Sequence, residues 1–598
     1  MPYLVALFTL HVPQCSPLRS FLFRFRLWLA KATARIPDRI SADAHTQWRP
    51  LHEHTGASDK LRKSGSRATE RSEGPQLQRQ LYPAFRPKIA SLVLVTALGL
   101  TGCAQFSKVG STAPRQSEDT APTEAISTKS GFNPLDEELD TANASPLIDG
   151  HVALAAWIET IRSARSSIYL KTFIFRPDEV GRLLAEELKV AANRGVEVRI
   201  LVDDLFHYFK GHDLGLLDET ANIELRIYNP LNRHIPPPFN FIIEYDRVNP
   251  RMHSKALIVD GSTAIVGGRN VGAEYFRQSR ASYFSDFELL VEGDAVSGFE
   301  MAFQAYWNDK FSIAYRETVW QRAAPLNVPP RDPEDDAGGA ITVSRNATIS
   351  NGTPSLVSLR SPNLNVPKFS VRGHVKYDPA SKLHGKSTEK PYVVGESVLR
   401  TIARAKDSVL IVTPYFIPES YGLELLRKLT ARGVRVRILT NSLASNNHPS
   451  THAGYRRYRT ELLKAGVEIF EYRSNVFFPF AEPTGTGRPT TTLHSKLVLV
   501  DERYAIVGSL NFDPRSIRTN SELVFFAESR ELAAWIIERY GTVMSDQAYQ
   551  VTLGNREQLQ WTFSDQGQSR IRRSEPTGKF THGFVALFFG VFVMDSAL

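Results

Sequence analysis

An eighteen-residue stretch occurs twice in this chain, and the fold has to accommodate both copies. HSKALIVDGSTAIVGGRN runs from His253 to Asn270, and HSKLVLVDERYAIVGSLN from His494 to Asn511. Both obey H-x-K-x4-D-x6-G-[GS]-x-N. The match extends upstream: SIYLKTFIFRP, from Ser167, parallels SVLIVTPYFIP, from Ser408, and NRGVEVRILVDD parallels ARGVRVRILTNS. The strand and motif starts are offset by 241 residues, and Gly195 and Gly433 by 238. A near-constant offset over so much chain means duplication of a whole lobe.

Within each copy the pattern alternates. AAWIETIRSARSS has helical spacing of apolar positions, and SIYLKTFIF has the composition of a strand. GRLLAEELKVAANRG is again helical and closed by Gly195, and VEVRILVDD is another strand. This β-α-β rhythm predicts an α/β layered fold. We expect two lobes, each a β-sheet flanked by helices, related by a pseudo-twofold with one shared active site.

The motif residues suit a phosphodiester. Transfer needs an in-line nucleophile, a proton donor for the leaving oxygen, and positive charge on the equatorial oxygens. Imidazole titrates near neutrality, so one histidine can attack while the other donates a proton. Lys255 and Lys496 neutralise the phosphate, and the amides of Asn270 and Asn511 can donate hydrogen bonds to it. Strand alternation is expected to put His253 with Lys255, and His494 with Lys496, on one face. The set requires no metal or cofactor.

The two copies resemble the HKD motif of the phospholipase D superfamily. RVNPRMHSK (247–255), NVGAEYF (270–276), SDFELLVEG and VKYDPASK (375–382) narrow the resemblance to bacterial cardiolipin synthases, closest to the C type. Pro250 stands where that type has a second arginine. The resemblance implies a catalytic set of His253, Lys255, Asp260, His494, Lys496 and Asp501. It implies a phosphohistidine intermediate, with His253 as nucleophile and His494 as general acid. Asp260 and Asp501 fall at the far end of the strand, and we expect them to hold structure rather than touch substrate. The resemblance further implies that Glu288 and Glu522 each orient the histidine of their own lobe. Arg247 and Arg251 are candidates for a second anionic head group. The implied activity is phosphatidyl transfer making cardiolipin; the alternatives are a hydrolytic phospholipase D and a secreted nuclease or phosphodiesterase.

Charge discriminates among these. Residues 1–88 hold 15 Lys and Arg against 6 Asp and Glu, which accounts for the entire formal charge of +9. The remainder is neutral and shows no footprint for nucleic acid. Residues 1–88 read as an N-terminal extension, disordered or from an over-extended gene start. IASLVLVTALGLTGC, after Arg86 and Lys88, resembles a lipoprotein signal peptide (89–103) with its lipobox. Cys103 is then the lipidation site, and Ala104 favours the outer over the inner membrane of a bacterial envelope. A flexible tether (104–144) leads to lobe 1 (145–320), an insertion (321–390), lobe 2 (391–550) and an extension (551–598). Phospholipids, phosphatidylglycerol and phosphatidylethanolamine among them, and a membrane are the expected partners. No nucleic acid and no obligate protein partner are expected. IPPPFNF (235–241) and NVFFPF (475–480) are candidates for contact with lipid.

Overall fold

The structure, a computed structural model, describes residues 138–206, 212–234, 237–279, 282–318, 366–384, 392–474, 490–565 and 567–576. The expectations for residues 1–88, the signal peptide with Cys103 and NVFFPF lie outside the described residues, as does the end of the 551–598 extension.

Lobe 1 contributes β1 (Asp140–Leu147), β2 (Ser167–Thr172), β3 (Glu197–Asp203), β4 (Ile223–Tyr228), β5 (Ala256–Val259), β6 (Thr263–Gly267), β7 (Ser282–Ser285), β8 (Glu288–Gly293) and β9 (Ser312–Ala314). After it come β10 (Phe369–Tyr377), β11 (Ser408–Val412), β12 (Arg435–Asn441), β13 (Glu468–Tyr472), β14 (Thr490–Leu493), β15 (Leu497–Val500), β16 (Tyr504–Gly508) and β17 (Leu523–Glu528). The chain closes with β18 (Ala548–Leu553), β19 (Leu559–Asp565) and β20 (Gln568–Arg572).

Eighteen of these strands form one sheet. On the lobe 1 side the order is β9-β4-β3-β2-β5-β6-β8-β1. From β1 it continues β10-β17-β16-β15-β11-β12-β13-β18-β19-β20. Read outward from the antiparallel β1–β10 seam, each half repeats the other. The duplication is therefore one of topology as well as sequence. The tether assigned to 104–144 ends earlier than expected, because Asp140–Ala144 belong to β1 and pair with both β8 and β10. Part of the expected insertion likewise supplies β10, at the middle of the sheet.

Helices cover the strands where the periodicity predicts them. Asp149 caps Gly150–Ser163 by accepting from the His151 and Val152 amides, and Asp178 caps Glu179–Asn193 through Val180 and Gly181. Each such cap contributes about 1 kcal/mol. Gly195 and Gly433 follow the equivalent helices with φ of 94° and 86°, a conformation in which any Cβ is strained. One apolar core is shared by the lobes: Phe299 of lobe 1 packs on Phe525 of lobe 2 at 5.7 Å, and Phe287 on Tyr540 at 6.2 Å. Among the described residues no helix is long and apolar enough to cross a membrane.

Asp260 and Asp501 sit at the β5–β6 and β15–β16 turns with φ of 51° and 53°. The Asp260 carboxylate accepts the Arg165, Ser166 and Ser167 amides at 2.8–2.9 Å. Asp501 does the same for Lys406, Asp407 and Ser408 at 2.8–3.1 Å. Each carboxylate thus pins the start of the neighbouring strand, a structural rather than a chemical task. Asp501→Ala is expected to cost about 1 kcal/mol, because amides at a partly exposed turn exchange the carboxylate for water. Thermal unfolding checks this: an unchanged melting temperature would contradict the pinning role.

Candidate active site

The motif histidines stand just before β5 and β15 rather than within them, where each lobe meets the other. In one half, His253 N–H donates to the Ser521 carbonyl at 3.0 Å, and Ser521 N–H to Arg251 at 3.0 Å. In the other, β14 pairs in parallel with β7, and His494 N–H donates to the Ser285 carbonyl at 2.7 Å. Each histidine therefore arrives beside a strand of the opposite lobe.

The carboxylates follow the same crossing. His253 Nδ1 lies 3.0 Å from both Glu522 oxygens, and His494 Nδ1 lies 2.6 Å from Asp286 Oδ2. This corrects the sequence expectation twice. Glu522 serves the histidine of the other lobe, not its own. Glu288 orients no histidine: its carboxylate accepts from Arg269 at 3.0 Å and from the Trp157 indole at 3.3 Å. The ladder register explains the second error. Gly267 faces Glu288 across β6–β8, whereas its repeat Gly508 faces Val524 across β16–β17. The structural counterpart of Glu522 is thus Asp286, two residues before Glu288. Gly268 makes room for it, since a Cβ there would lie 2.4 Å from Asp286 Oδ1.

The lysines complete the cluster. Lys255 Nζ donates to the His253 carbonyl. Lys496 Nζ donates to the His494 carbonyl at 2.6 Å and lies 3.2 Å from both ring nitrogens. All four side chains are buried, at 2–8% exposure. Asn270 and Asn511 close the motifs, also buried, at 2% and 7% exposure. Arg251 is fully buried, with bonds to Asp203, Val248 and Asn229. It is therefore not free to hold a second head group, which corrects that expectation. Arg247 bonds Glu244, Asn229 and the Pro230 carbonyl.

Burial sets the proton inventory. It pushes His253 down to about 4 and His494 to about 3, against the pull of their carboxylates, so both rings are neutral near pH 7. Burial pushes Glu522 and Asp286 up, but the histidines and lysines more than offset it and hold both below the usual carboxylate range. Desolvation lowers Lys255 to about 7 and Lys496 to about 8. Below those values both amines are ammonium ions and attract phosphate; above them the attraction is lost. kcat/KM, which reports the free enzyme, is therefore expected to fall as pH rises through 7–8. A profile flat to pH 9.5 would contradict this assignment.

With each Nδ1 held by a carboxylate, the other ring nitrogen is left for chemistry. Two such half-sites, with two cations between two lobes, define an enzyme of the phospholipase D class. The chain belongs to the cardiolipin synthase family of that class. The family model described as "Cardiolipin synthase, PLD-like domain" matches residues 157–307 and 398–543, one match per lobe. Cardiolipin synthase C of Escherichia coli is 30% identical over 465 residues, covering 75% of this chain and 92% of that protein. Cardiolipin synthase 2 of Staphylococcus epidermidis is 28% identical over 381 residues, 63% of each. Among solved structures, the phosphatidylserine synthase of Haemophilus influenzae aligns at a TM-score of 0.48 and 17% identity, over 76% of this chain and 95% of that one. The protein is a phospholipase D-type phosphatidyltransferase.

Proposed function

We propose that the enzyme makes cardiolipin from phosphatidylglycerol and a second phospholipid, through a phosphohistidine on His253. The observation that carries the reading is the pair of buried histidines, each fixed through Nδ1 by a carboxylate of the opposite lobe. His253 attacks phosphorus, and His494 protonates the departing head-group oxygen. The same His494 then takes the proton of the acceptor hydroxyl as it displaces His253. Glu522 and Asp286 stabilise the imidazolium that forms on each ring. A bound diester adds negative charge beside the rings and favours the proton that His494 must carry.

Lipid as the substrate class is supported by the cardiolipin synthase relatives and by the neutral body of the chain. Exposed Phe239, Ile243 and Tyr245, on the short helices leading to the first motif, supply apolar contact with a membrane. The lipobox-like Leu100-Thr101-Gly102-Cys103 supports an anchor in the bacterial envelope through a lipid on Cys103, with Ala104 favouring the outer membrane. Loss of labelled palmitate incorporation in Cys103→Ser tests the anchor.

The enzymatic reading is tested with detergent-solubilised protein and labelled phosphatidylglycerol, with and without phosphatidylethanolamine. Cardiolipin from wild type and none from His253→Ala is the expected result. Phosphatidic acid as the sole product would overturn transfer in favour of hydrolysis.

A further inference from the structure

The repeat makes the two halves of the site similar, but their rims differ. In lobe 1 the loop after β2 presents Phe173, whose ring centroid lies 5.1 Å from that of His253. The loop after β3 presents Phe206, half exposed and 5.2 Å from Phe173. Parallel pairing of β2 with β3 brings both loops out at one end of the sheet. In lobe 2, β11 and β12 are parallel in the same way. Their loops present Tyr415 and Asn447 instead. The Tyr415 hydroxyl donates to Asn447 Oδ1 at 2.9 Å, and its ring meets His448 edge-on at 5.5 Å. Among the described residues, the lobe 1 rim is apolar here, and the lobe 2 rim is built of groups that both donate and accept hydrogen bonds.

The polar rim is tied directly to the second motif. Phe512 N–H donates to Thr413 Oγ1 at 3.1 Å, and Ile417 N–H to the Phe512 carbonyl at 2.8 Å. Phe416 stacks on Phe512 at 5.1 Å. The loop that carries Tyr415 is thereby held against Phe512, the residue after Asn511, and the two motif asparagines differ at this point. Asn270 Oδ1 accepts the Ile174 amide at 3.2 Å. Asn511 is only 7% exposed, yet its Oδ1 has no hydrogen-bond partner among the described residues. A buried acceptor left unpaired costs about 1–3 kcal/mol, so it marks a place where a donor belongs. A phosphodiester anion offers only acceptors and cannot fill it. An alcohol O–H can.

We propose that Tyr415, Asn447 and Asn511 form the subsite for the alcohol of the reaction, taking the glycerol head group that leaves and the hydroxyl that enters. The proposal rests on the phosphatidyl-transfer reading and assigns one rim to the polar partner. In the first step the P–O bond to glycerol breaks, a P–N bond to His253 forms, and the His494 proton goes to the glycerol oxygen. In the second, the acceptor O–H gives its proton to His494 as its oxygen forms the new P–O bond and the P–N bond breaks. Burial pushes the Tyr415 phenol up, so its hydroxyl stays protonated, its proton on Asn447 Oδ1 and its oxygen free to accept from a hydroxyl of the polyol. Water lacks the vicinal hydroxyls that would bridge Tyr415 and Asn511, so the subsite favours glycerol-bearing acceptors over water.

The test is a competition. Full-length enzyme in mixed micelles of phosphatidylglycerol is given labelled glycerol and labelled ethanol together, and the ratio of the two lipid products is read. Wild type is expected to favour glycerol. Tyr415→Phe, which removes one oxygen, and Asn447→Ala are each expected to lower the ratio about tenfold. Phe206→Ala, on the apolar rim, is expected to keep the wild-type ratio. An unchanged ratio in both lobe 2 variants, or an equal fall in Phe206→Ala, overturns the proposal. So does a wild type that shows no preference for glycerol. A wild type that releases phosphatidic acid and transfers to neither alcohol refutes the transferase reading itself, which separates the two failures.

Discussion

His494→Ala is expected to stop turnover of lipid before the first P–O bond breaks, and to stall part-way, with a phosphatidyl group on His253, only when the leaving group needs no proton. Without its proton donor a lipid head group leaves slowly, and turnover should fall by about 10⁴-fold or more, as when a member of a catalytic unit is removed. A substrate whose leaving group needs no proton, such as a p-nitrophenyl phosphodiester, should still release one equivalent of nitrophenol. The covalent adduct should then persist, because no base remains to activate the acceptor. His253→Ala should lose the burst and the adduct together. Intact-protein mass spectrometry after acid-free quenching reads both outcomes. An adduct on His494 in the His253→Ala protein would reverse the assignment of nucleophile and acid.

The second large effect separates Asp286 from Glu288. Asp286→Asn leaves His494 with a neutral partner and the wrong preference for its ring proton. By analogy with the same change in a catalytic triad, kcat is expected to fall by about 10³–10⁴-fold. Glu288→Gln should act on stability instead, because Glu288 forms a buried pair with Arg269 at 3.0 Å and accepts from Trp157. Removing one partner of a buried pair costs roughly 3–5 kcal/mol. Thermal unfolding and kcat together distinguish the two. If Glu288→Gln abolished turnover with an unchanged melting temperature, the crossed arrangement would be wrong.

These two residues also show where the sequence stops being informative. The lobe duplication, its strands and the four motif side chains were legible because they recur at a fixed offset. Glu288 and Glu522 looked equivalent because both are acidic and lie at the start of similar strands. Asp286 is two residues from Glu288, and a two-residue shift along a strand keeps the same face, so alternation could not choose between them. Only the pairing of Gly267 and Gly508 with their partner strands settles it. The crossing between lobes was illegible for a different reason. Nothing in a linear pattern says toward which neighbour the end of a strand points. Arg251 failed through burial: a charge beside a motif looked like a head-group contact, but its guanidinium is spent on Asp203. The rim was missed because Tyr415 and Asn447 are unremarkable in sequence, and their meaning comes from contrast with Phe173 and Phe206.

The crossed carboxylates make the two lobes hostages to each other. A hinge motion that parted them would withdraw Glu522 from His253 and Asp286 from His494 in the same movement. Both rings would lose their anchors together. Activity in this enzyme is therefore an assay of quaternary-like closure within a single chain. Either lobe expressed alone should be inert unless it finds a second copy to lend it the missing carboxylate.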